Sequence, residues 1–257
     1  MKSFTAIALE NFPLIKPGDN IAKIIVEAAR KNGLEIEEGD IIAIAQKIFS
    51  KCEDRIVRLR DVIPSRKAED IAKITGKSPK FVELVLSETE RIVKASREVF
   101  LVEDKRGLVC INAGIDKSNV KGRGNFTLLP EKPDTSAKKC RSEIKKITGK
   151  NVAVVVCDTY SRPFRRGQVN FAIGIAGIKP FKDYRGKEDL FGQILKVKNI
   201  ATVDEIAAAA ELLMGQAKEA TPVVIFKRLN NILEFSEKCT IDELRISSEE
   251  DLFKNTL

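Results

Sequence analysis

The sequence predicts an α+β fold in which helices and strands mix without a strict strand–helix–strand alternation. Three largely apolar runs, at residues 40–46, 152–156 and 222–226, have the composition of strands covered on both faces. Segments with helical spacing of apolar residues, flanked by good capping residues, lie between these runs. A chain of 257 residues is long enough for one large or two small domains with a substantial core.

The N-terminal part predicts a strand, a helix and a second strand. Residues 4–9 form the first strand, and Asp19 is the expected N-cap of a helix that ends before Gly33. The strand at residues 40–46 leads into four polar side chains, Gln46, Lys47, Ser50 and Lys51. These four could line a phosphate site, or each could be an ordinary surface residue.

The middle of the chain predicts two consecutive helices and a polar loop. Ser65 and Ser78 are the expected N-caps, and Gly76 ends the first of these helices. A strand at residues 108–111 then leads into a loop that contains Asn112, Asp116 and Asn119. Short polar side chains of this kind bind a metal or a nucleotide, or they cap turns by bonding their own backbone.

The last hundred residues or so predict two more helices and two more strands. Asp134 or Thr135 caps a helix to about residue 148, a strand covers residues 194–199, and residues 202–205 form a capping box. That box opens a helix through Met214, which is followed by a loop at 215–221 and a strand at 222–226. We expect a main domain over residues 1–230 and a charged helical tail over residues 231–257.

The stretch from Val152 to Gln193 carries the strongest chemical signal. Its apolar run leads into Asp158 and Thr159, where we expect the strand to give way to a loop, and three arginines follow at 162, 165 and 166. Hard oxygen ligands suit Mg²⁺ or Mn²⁺, and guanidinium groups suit phosphate or carboxylate. The alternative is a packed strand followed by a solvated basic loop.

Composition excludes several classes of function. Because the chain contains no histidine, Ser-His-Asp and Cys-His nucleophiles, HExxH metalloproteases and histidine-ligated zinc are ruled out. The formal charge of +8 suggests an anionic partner, but two tyrosines and no tryptophan make nucleic acid the weaker choice. The chain has five cysteines without a CxxC pair, no membrane-length apolar segment and no signal-peptide pattern. These features predict a soluble cytoplasmic protein.

The candidate ligands come from several loops that follow probable strands. Oxygen donors with lysines nearby are what two divalent cations and the phosphates of a nucleoside triphosphate require. Phosphoryl transfer depends mainly on positioning and on charge neutralisation, so a site without histidine can perform it. The residues do not identify the acceptor, which could be a carboxylate or a hydroxyl.

Seven segments resemble one known family, in the same order along the chain. They are NFPLIKPGD (11–19), QKIFSKCEDRIV (46–57), NAGIDKSNV (112–120), LLPEKPDTSA (128–137), CDTYSRPFRRGQVNFAIGIAGI (157–178), KDYRGKEDLFG (182–192) and DEIAAAAELLMGQ (204–216). The family is that of the coenzyme F420:L-glutamate ligases, archaeal GTP-dependent gamma-glutamyl ligases. The resemblance extends to about residue 230 and leaves out the C-terminal tail.

The resemblance implies transfer of the GTP gamma-phosphate to the terminal carboxylate of the deazaflavin precursor, F420-0. The amine of L-glutamate then attacks the acyl phosphate, and a further glutamate is added through its gamma-carboxylate. The resemblance also implies two divalent metals (Mg²⁺ or Mn²⁺), a stimulatory K⁺ and a homodimer. Each subunit would have two intertwined sub-domains with mixed sheets.

The resemblance further implies a set of site residues. Asp116 and Asp158 match ligands of the first metal, Thr159 and Gln216 match ligands of the second, and we expect Asp158 and Lys51 to be catalytic. The expected GTP contacts are Phe12, Pro13, Leu14, Ile15, Gln46, Lys47, Lys51, Asn119, Met214, Gly215, Gln216, Ala217, Lys218, Glu219, Ala220 and Thr221. Arg162, Arg165 and Arg166 have no role in this match, and our hypothesis is that at least one binds an anionic group of the precursor.

Two alternatives stay open from the residues alone. One is a ligase with the same fold and acyl-phosphate chemistry that joins a different acid and amine. The other is a basic protein that binds nucleic acid or an anionic cofactor without catalysis, for which salt-sensitive binding without nucleotide hydrolysis would be the signature.

Overall fold

The structure is a computed structural model, which describes residues 1–230, 232–247 and 249–251. Its strands are β1 Thr5–Ala8, β2 Ile41–Ala45, β3 Ile56–Arg58, β4 Thr89–Ser96, β5 Val99–Asp104, β6 Val109–Ile111, β7 Asn125–Thr127, β8 Ala153–Ser161, β9 Gln168–Ala176, β10 Phe181–Asp183, β11 Asn199–Ala201 and β12 Val223–Lys227. Its α-helices are α1 Ile21–Lys31, α2 Gln46–Cys52, α3 Arg66–Thr75, α4 Pro79–Ser87, α5 Pro133–Thr148 and α6 Thr202–Met214. The predicted α+β class is confirmed.

The chain divides into two compact units, each built from separate segments. The first unit comprises Met1–Leu14, Asn20–Ile48 and Lys132–Leu244. The second comprises Ile15–Asp19, Phe49–Glu131 and the described residues from Arg245 onward. Helix α2 contains the boundary between Ile48 and Phe49, so the chain passes from one unit to the other within a single helix.

The first unit is built on a five-stranded sheet with the order β1-β12-β2-β8-β9. Strands β2 and β8 are parallel, and the other neighbouring pairs are antiparallel. Because β1 and β2 both run antiparallel to β12, the strands β1, β2 and β8 point in one direction. They therefore end at one edge of the sheet, which we call the carboxyl edge, and β12 begins there.

The apolar runs predicted from the sequence form the centre of this sheet. Residues 41–44 of β2, 153–156 of β8 and 223–225 of β12 are fully buried. One face packs against α6, whose inward residues are Val203, Ile206, Ala207 and Ala210. Helix α5 also packs against this sheet, at β8 and β9, and helix α1 packs against α5. Each buried Ile or Val contributes about 1.5–3 kcal/mol relative to exposure, so this layer is the main source of stability in the first unit.

Strand β8 is longer than the sequence predicts. It continues through Asp158 and Thr159 to Ser161, and its last residues pair with β9, Thr159 opposite Asn170 and Ser161 opposite Gln168. The expected strand end at Asp158 is therefore wrong, because the antiparallel ladder with β9 satisfies the backbone beyond the apolar run.

A β-bulge interrupts this hairpin where the apolar run ends. Val156 lies opposite Gly174, whereas the next residue, Cys157, lies opposite Ala172, so Ile173 is the extra residue in β9. The backbone N–H of Ala172 donates instead to the carboxylate of Asp204, at 3.0 Å, on helix α6. The bulge therefore interrupts the ladder, while the backbone N–H of Ala172 keeps a hydrogen-bond partner.

Helix α1 begins one residue later than expected. Its N-cap is Asn20, whose side chain accepts the N–H of Lys23 at 3.0 Å. The carboxylate of Asp19 accepts the N–H of Lys16 at 2.7 Å and so closes the preceding turn. Either residue type can cap a helix, and only the path of the chain before the helix selects between them.

The capping box predicted at residues 202–205 is also wrong, although α6 does run to Met214. The N-cap is Ala201, and the Thr202 hydroxyl donates to the carbonyl of Pro180 at 3.2 Å. The strand expected at residues 194–199 is displaced as well, because β11 starts only at Asn199, where it pairs with β10. In both places an interaction with residues distant in sequence replaces the one that the local sequence pattern predicts.

The second unit contains a three-stranded sheet, β4-β5-β6, and the pair β3-β7. Helices α3 and α4 pack against each other, and Ser65, Gly76 and Ser78 lie at their ends as predicted. Its core includes the fully buried Phe100 and Val102 of β5.

A buried ion network joins α4 to the β5–β6 turn in this unit. The Arg106 guanidinium donates to Asp104 at 2.7 Å and to Glu88 at 2.9 Å, and Glu88 also accepts from Arg55 at 2.7 Å. The Arg106, Asp104 and Glu88 side chains are only 8%, 0% and 9% exposed. Each buried charge here depends on its partner, because an unpaired one would carry the full cost of desolvation.

The C-terminal segment is described only in part. Residues 232–247 and 249–251 contain the 3-10 turn Ile241–Leu244, and residues 231, 248 and 252–257 of the predicted helical tail lie outside the described residues. Among the helices of the described residues, none combines the length and apolarity needed to cross a bilayer.

We predict that Arg106→Met lowers the free energy of unfolding by about 3–5 kcal/mol, because Asp104 and Glu88 lose a buried partner. Arg91→Met is the matched control, since its ion pair with Glu103 lies on the surface, with Arg91 64% exposed, and should cost less than about 1 kcal/mol. Denaturant unfolding of both variants measures the difference. A similar loss in the two variants would contradict the buried network.

Candidate functional site

The carboxyl edge of the first unit gathers most of the predicted site residues. Residues 12–14 follow β1, Gln46 and Lys47 follow β2, Asp158 and Thr159 lie in the last part of β8, and residues 214–221 precede β12. In sheets with parallel strands, ligands bind beyond the carboxyl ends of those strands. Four other predicted residues, Ile15, Lys51, Asp116 and Asn119, belong to the second unit.

Backbone hydrogen bonds tie the predicted nucleotide segments of the first unit together. The N–H of Phe12 donates to the carbonyl of Ala220 at 3.2 Å, and the N–H of Ala45, just before Gln46, donates to the carbonyl of Pro222 at 2.9 Å. The Thr221 hydroxyl lies within 2.9 Å of the Leu213 carbonyl and 3.0 Å of the Met214 carbonyl, so it binds the last turn of α6. The structure thus brings together three segments that are distant in sequence.

Within residues 12–14 the side chains have different roles. Phe12 is buried, with 6% exposure, and anchors the segment, whereas Leu14 is 85% exposed. Pro13 lies on the surface between them. Only Leu14 and Pro13 of this segment therefore offer side-chain surface to a ligand in the first unit.

The loop at 215–221 is closed by the carboxylate of its own residue Glu219. Gly215 has φ 63° and ψ 178°, a backbone conformation that is essentially restricted to glycine. The carboxylate of Glu219 accepts the N–H of Ala217 at 2.8 Å and lies against Gly215. Lys218 is exposed. The Ala217 amide is thus already bonded to an acidic side chain of the same loop.

Helix α2 positions Gln46, Lys47, Ser50 and Lys51. Gln46 and Ser50 are buried, with 2% and 0% exposure, so the alternative of ordinary surface residues is wrong for these two. Lys47 and Lys51 are half-buried and lie one turn apart on the helix, on the same side of it. Both ammonium groups remain candidates for binding phosphate.

Asp158 and Thr159 are neighbours on β8 and therefore face opposite sides of the sheet. Both are half-buried. Thr159 shares its face with Cys157, which packs against α6. Burial raises the pKa of the Cys157 thiol far above its usual value, which disfavours the nucleophilic thiolate form.

Four side chains on the α6 side of the hairpin form a continuous polar network. The Thr159 hydroxyl lies 2.8 Å from the Asn170 carbonyl oxygen, and the Asn170 amide nitrogen donates to Glu211 at 2.8 Å. The Gln216 amide nitrogen donates to the other Glu211 oxygen at 2.6 Å and to the Thr159 hydroxyl at 2.8 Å. Thr159 and Gln216, predicted as a ligand pair, are thus in direct contact.

Asn170 and Glu211 were not among the site residues predicted from the sequence. Asn170 is 3% exposed and lies at the start of an apolar strand, where it pairs directly with Thr159. Glu211 falls four residues after Ala207, on the stripe by which α6 packs against the sheet. A polar residue in an apolar strand and a carboxylate beside a buried helix stripe are the signals that could have found them, because such groups need partners.

The donor set at this edge suits a hard divalent cation. It offers the Thr159 hydroxyl, the Gln216 amide oxygen and, on the other face of β8, the Asp158 carboxylate, all of which are oxygen ligands. Among the described residues, no group donates a hydrogen bond to the amide oxygen of Gln216. These donors match Mg²⁺ or Mn²⁺ in type, and binding of either ion stays a prediction.

In the second unit, Asp116 caps a turn. Its carboxylate accepts the backbone N–H and the hydroxyl of Ser118, both at 2.7 Å, and its backbone pairs with Thr127. Asn119, with φ 54°, is exposed at the end of this turn. The turn-capping alternative thus applies to Asp116, and the metal and nucleotide roles of Asp116 and Asn119 stay predictions.

The turn just before Asp116 has an unusual backbone. Asn112, Ala113 and Gly114 all have positive φ angles, of 54°, 54° and 67°. Left-handed residues other than glycine cost roughly 1–2 kcal/mol each, so the packing around Asn112 and Ala113 must hold them in place. Leu129 covers Gly114 so closely that a Cβ there would lie 2.7 Å from its side chain.

Comparison with known proteins finds one family along most of the chain. The family model described as F420-0:Gamma-glutamyl ligase matches residues 10–228, which include every predicted site residue. Proteins named coenzyme F420:L-glutamate ligase are similar to this chain. That of Methanothermobacter thermautotrophicus is 44% identical over 86% of this chain and 87% of its own. Those of Methanocaldococcus jannaschii and Archaeoglobus fulgidus are 42% and 43% identical, each over 97% of this chain and 96% of its own.

We predict that Gly215→Ala destabilises the protein by about 1–3 kcal/mol through backbone strain alone. The new Cβ would also lie 2.5 Å from the Glu219 carboxyl carbon and displace that side chain. Gly186→Ala is the control, because Gly186 has φ 80° with open space around it, and it should lose less. Thermal unfolding measures the stability of both single variants. The double variant Gly215→Ala/Glu219→Ala should recover the part of the stability loss that is due to the clash with Glu219. Equal losses in the two single variants would refute this account of the loop.

Proposed function

This chain belongs to the F420-0:gamma-glutamyl ligase family, and we propose on that basis that it is an enzyme of coenzyme F420 biosynthesis that ligates L-glutamate to F420-0. The observation that carries the proposal is the family match over residues 10–228, which contains the whole predicted site. The contacts at the carboxyl edge support it, because they join the segments that the resemblance assigns to one nucleotide.

We propose GTP as the energy source and an acyl phosphate as the intermediate. The bond between the β- and γ-phosphates of GTP breaks as the γ-phosphoryl group passes to the terminal carboxylate of F420-0. The amine of L-glutamate then attacks the acyl carbon, loses a proton and expels inorganic phosphate, leaving an amide. A second cycle would add glutamate through the gamma-carboxylate of the first.

The chain's own residues would contribute mainly charge and position. Lys47 and Lys51, one turn apart on α2, would neutralise phosphate oxygens. Residues 12–14 and 214–221, held together by the bond from Phe12 to Ala220, would contact the nucleotide. The loop would have to release the Ala217 N–H from Glu219 before that amide could bind a phosphate oxygen.

The proposal includes two divalent cations, Mg²⁺ or Mn²⁺, which when bound neutralise phosphate charge. Asp158 would be a ligand of the first and Thr159 and Gln216 ligands of the second, and Asp116 of the second unit stays the other predicted ligand of the first. Stimulation by K⁺ and a homodimeric state complete the proposal, as the family resemblance implies.

The test is a coupled assay with the purified chain, Mn²⁺, L-glutamate, F420-0 and either GTP or ATP. We expect GDP release that requires both co-substrates, and a gain of one or more glutamyl masses by the coenzyme in mass spectrometry. GTP and metal binding without a product would move the assignment to a ligase for a different acid and amine. Absence of nucleotide binding, with salt-sensitive binding of RNA or DNA, would favour the non-catalytic alternative.

We predict that Asp158→Asn nearly abolishes turnover, because it removes a charge that should hold a metal ion, while the protein stays folded. Turnover in the same assay and a thermal unfolding curve provide the two measurements. Asp70→Asn is the control, since Asp70 lies on the surface of α3 in an ion pair with Lys73, and its turnover should equal that of the unaltered chain. Near-normal turnover in Asp158→Asn would refute the assignment.

The arginines of the β8–β9 turn generate a further prediction about F420-0. Arg165 and Arg166 are exposed, whereas Arg162 is half-buried and one of its guanidinium nitrogens donates to the Arg166 carbonyl at 3.3 Å. We expect Arg165→Ala or Arg166→Ala to raise the KM for F420-0, because a free guanidinium can bind its phosphodiester or carboxylates. The KM for GTP should not change. Unchanged KM for F420-0 in Ala variants of all three arginines would exclude the hypothesis.

A further inference from the structure

Glu211 occupies the centre of the polar network beside β8 and β9. Each of its carboxylate oxygens accepts from a different side-chain amide, Oε1 from Gln216 at 2.6 Å and Oε2 from Asn170 at 2.8 Å. The resemblance assigns no role to Glu211, and its carboxylate makes no ion pair among the described residues. Among the described residues, this carboxylate bonds to the two amides and to no cation, so its structural effect is exerted on those amides.

A carboxylate accepts hydrogen bonds and cannot donate them, so it dictates which end of each amide faces it. Gln216 must turn its NH₂ group toward Glu211. The second hydrogen of that group points to the Thr159 hydroxyl, whose oxygen lies 2.8 Å from the amide nitrogen. The amide oxygen of Gln216 is thereby turned away from Glu211. With the amide reversed, an NH₂ group would occupy the position from which an oxygen could bind a cation.

The same logic passes through Asn170 to Thr159. Because the Asn170 NH₂ group faces Glu211, its carbonyl oxygen faces Thr159 at 2.8 Å and accepts the hydroxyl hydrogen. The hydroxyl oxygen also accepts from Gln216, which leaves one lone pair. Both oxygens of the predicted ligand pair are therefore oriented by one carboxylate that need not bind the metal itself.

We propose that Glu211 is a positioning residue that fixes the amide of Gln216 and, through Asn170, the hydroxyl of Thr159, so that both present oxygen to a divalent cation. This inference rests on the proposed function, in which Thr159 and Gln216 are ligands of the second metal. Residues that orient metal ligands through hydrogen bonds typically change metal affinity by about 10–100-fold when substituted.

The test is Glu211→Gln, which keeps the shape of the side chain but can accept from only one of the two amides. The second site should be the weaker of the two, because its predicted ligands Thr159 and Gln216 are uncharged. In Mn²⁺ titrations followed by electron paramagnetic resonance and calorimetry, we expect this site to lose about 10–100-fold in affinity. The other site should change less than about threefold. Glu205→Gln is the matched control, because it removes the same charge from an exposed position on α6, and both its sites should keep their affinity.

A second measurement on metal-free protein separates positioning from direct ligation. In nitrogen-15 spectra of the side-chain amides, the Gln216 NH₂ signals should show slowed hydrogen exchange that is lost in Glu211→Gln and kept in Glu205→Gln. Loss of Mn²⁺ affinity with an unchanged Gln216 amide would overturn the proposal, because Glu211 would then bind the metal directly. Unchanged affinity at both sites in folded Glu211→Gln protein would overturn it as well.

These outcomes are distinct from a failure of the proposed function. If the unaltered chain binds two Mn²⁺ ions but shows no glutamyl transfer in the coupled assay, the substrate assignment fails and the Glu211 comparison still decides the role of this residue. If the unaltered chain binds no Mn²⁺, both the metal assignment and the positioning role are overturned.

Discussion

The first unit depends on three strands, β2, β8 and β12, that are buried on both faces. A polar side chain inside such a run would lose water without gaining a partner, at a cost of several kcal/mol by transfer measurements, and residues 41–44, 153–156 and 223–225 contain none. Polar groups are therefore displaced to the places where these runs end. Because β1, β2 and β8 point the same way, those ends lie along one edge of the sheet, and the candidate site follows from the strand directions.

Polar side chains that do lie beneath this edge are retained because each has a complementary partner. Asn170 is almost fully buried, yet its carbonyl and its amide both form hydrogen bonds, to Thr159 and Glu211. The bulge in β9 follows the same rule, since the N–H that leaves the ladder at Ala172 is taken by Asp204. Burial raises the pKa of that Asp204 carboxyl above its usual value, because the surrounding core disfavours the charged form. Satisfied hydrogen bonds in such surroundings hold side chains in one arrangement, which the predicted metal-binding role of Thr159 and Gln216 requires.

The existence of most helices and strands could be predicted, whereas several of their ends could not. Apolar spacing identifies α1 and α6 because the buried stripe of each helix extends over more than two turns. Their first residues were misplaced because Asp19 and Thr202 are good caps whose side chains bond elsewhere, to Lys16 and Pro180. Strand β8 was predicted too short for a related reason, since its polar half is stabilised by pairing with β9 and not by burial of apolar side chains. Local patterns report how buried a position is, but they do not report its partner.

Residue types and their local spacing were enough to predict the α+β class, the buried strands, the absence of histidine chemistry and the loops that carry oxygen donors and cationic side chains. Each of these depends on residue type or on spacing over a few residues, which the chain displays directly. Three-dimensional packing was needed to show that Phe12 bonds to Ala220 and Ala45 to Pro222 at one edge, and that β9 contains a bulge. It was also needed to show that Asn170 and Glu211 complete the network around Thr159 and Gln216. The partners in that network are up to 57 residues apart, and a hydrogen bond depends on distance and direction in space. Neither quantity is contained in a local pattern, so the orientation of the Thr159 and Gln216 side chains became visible only in the folded chain.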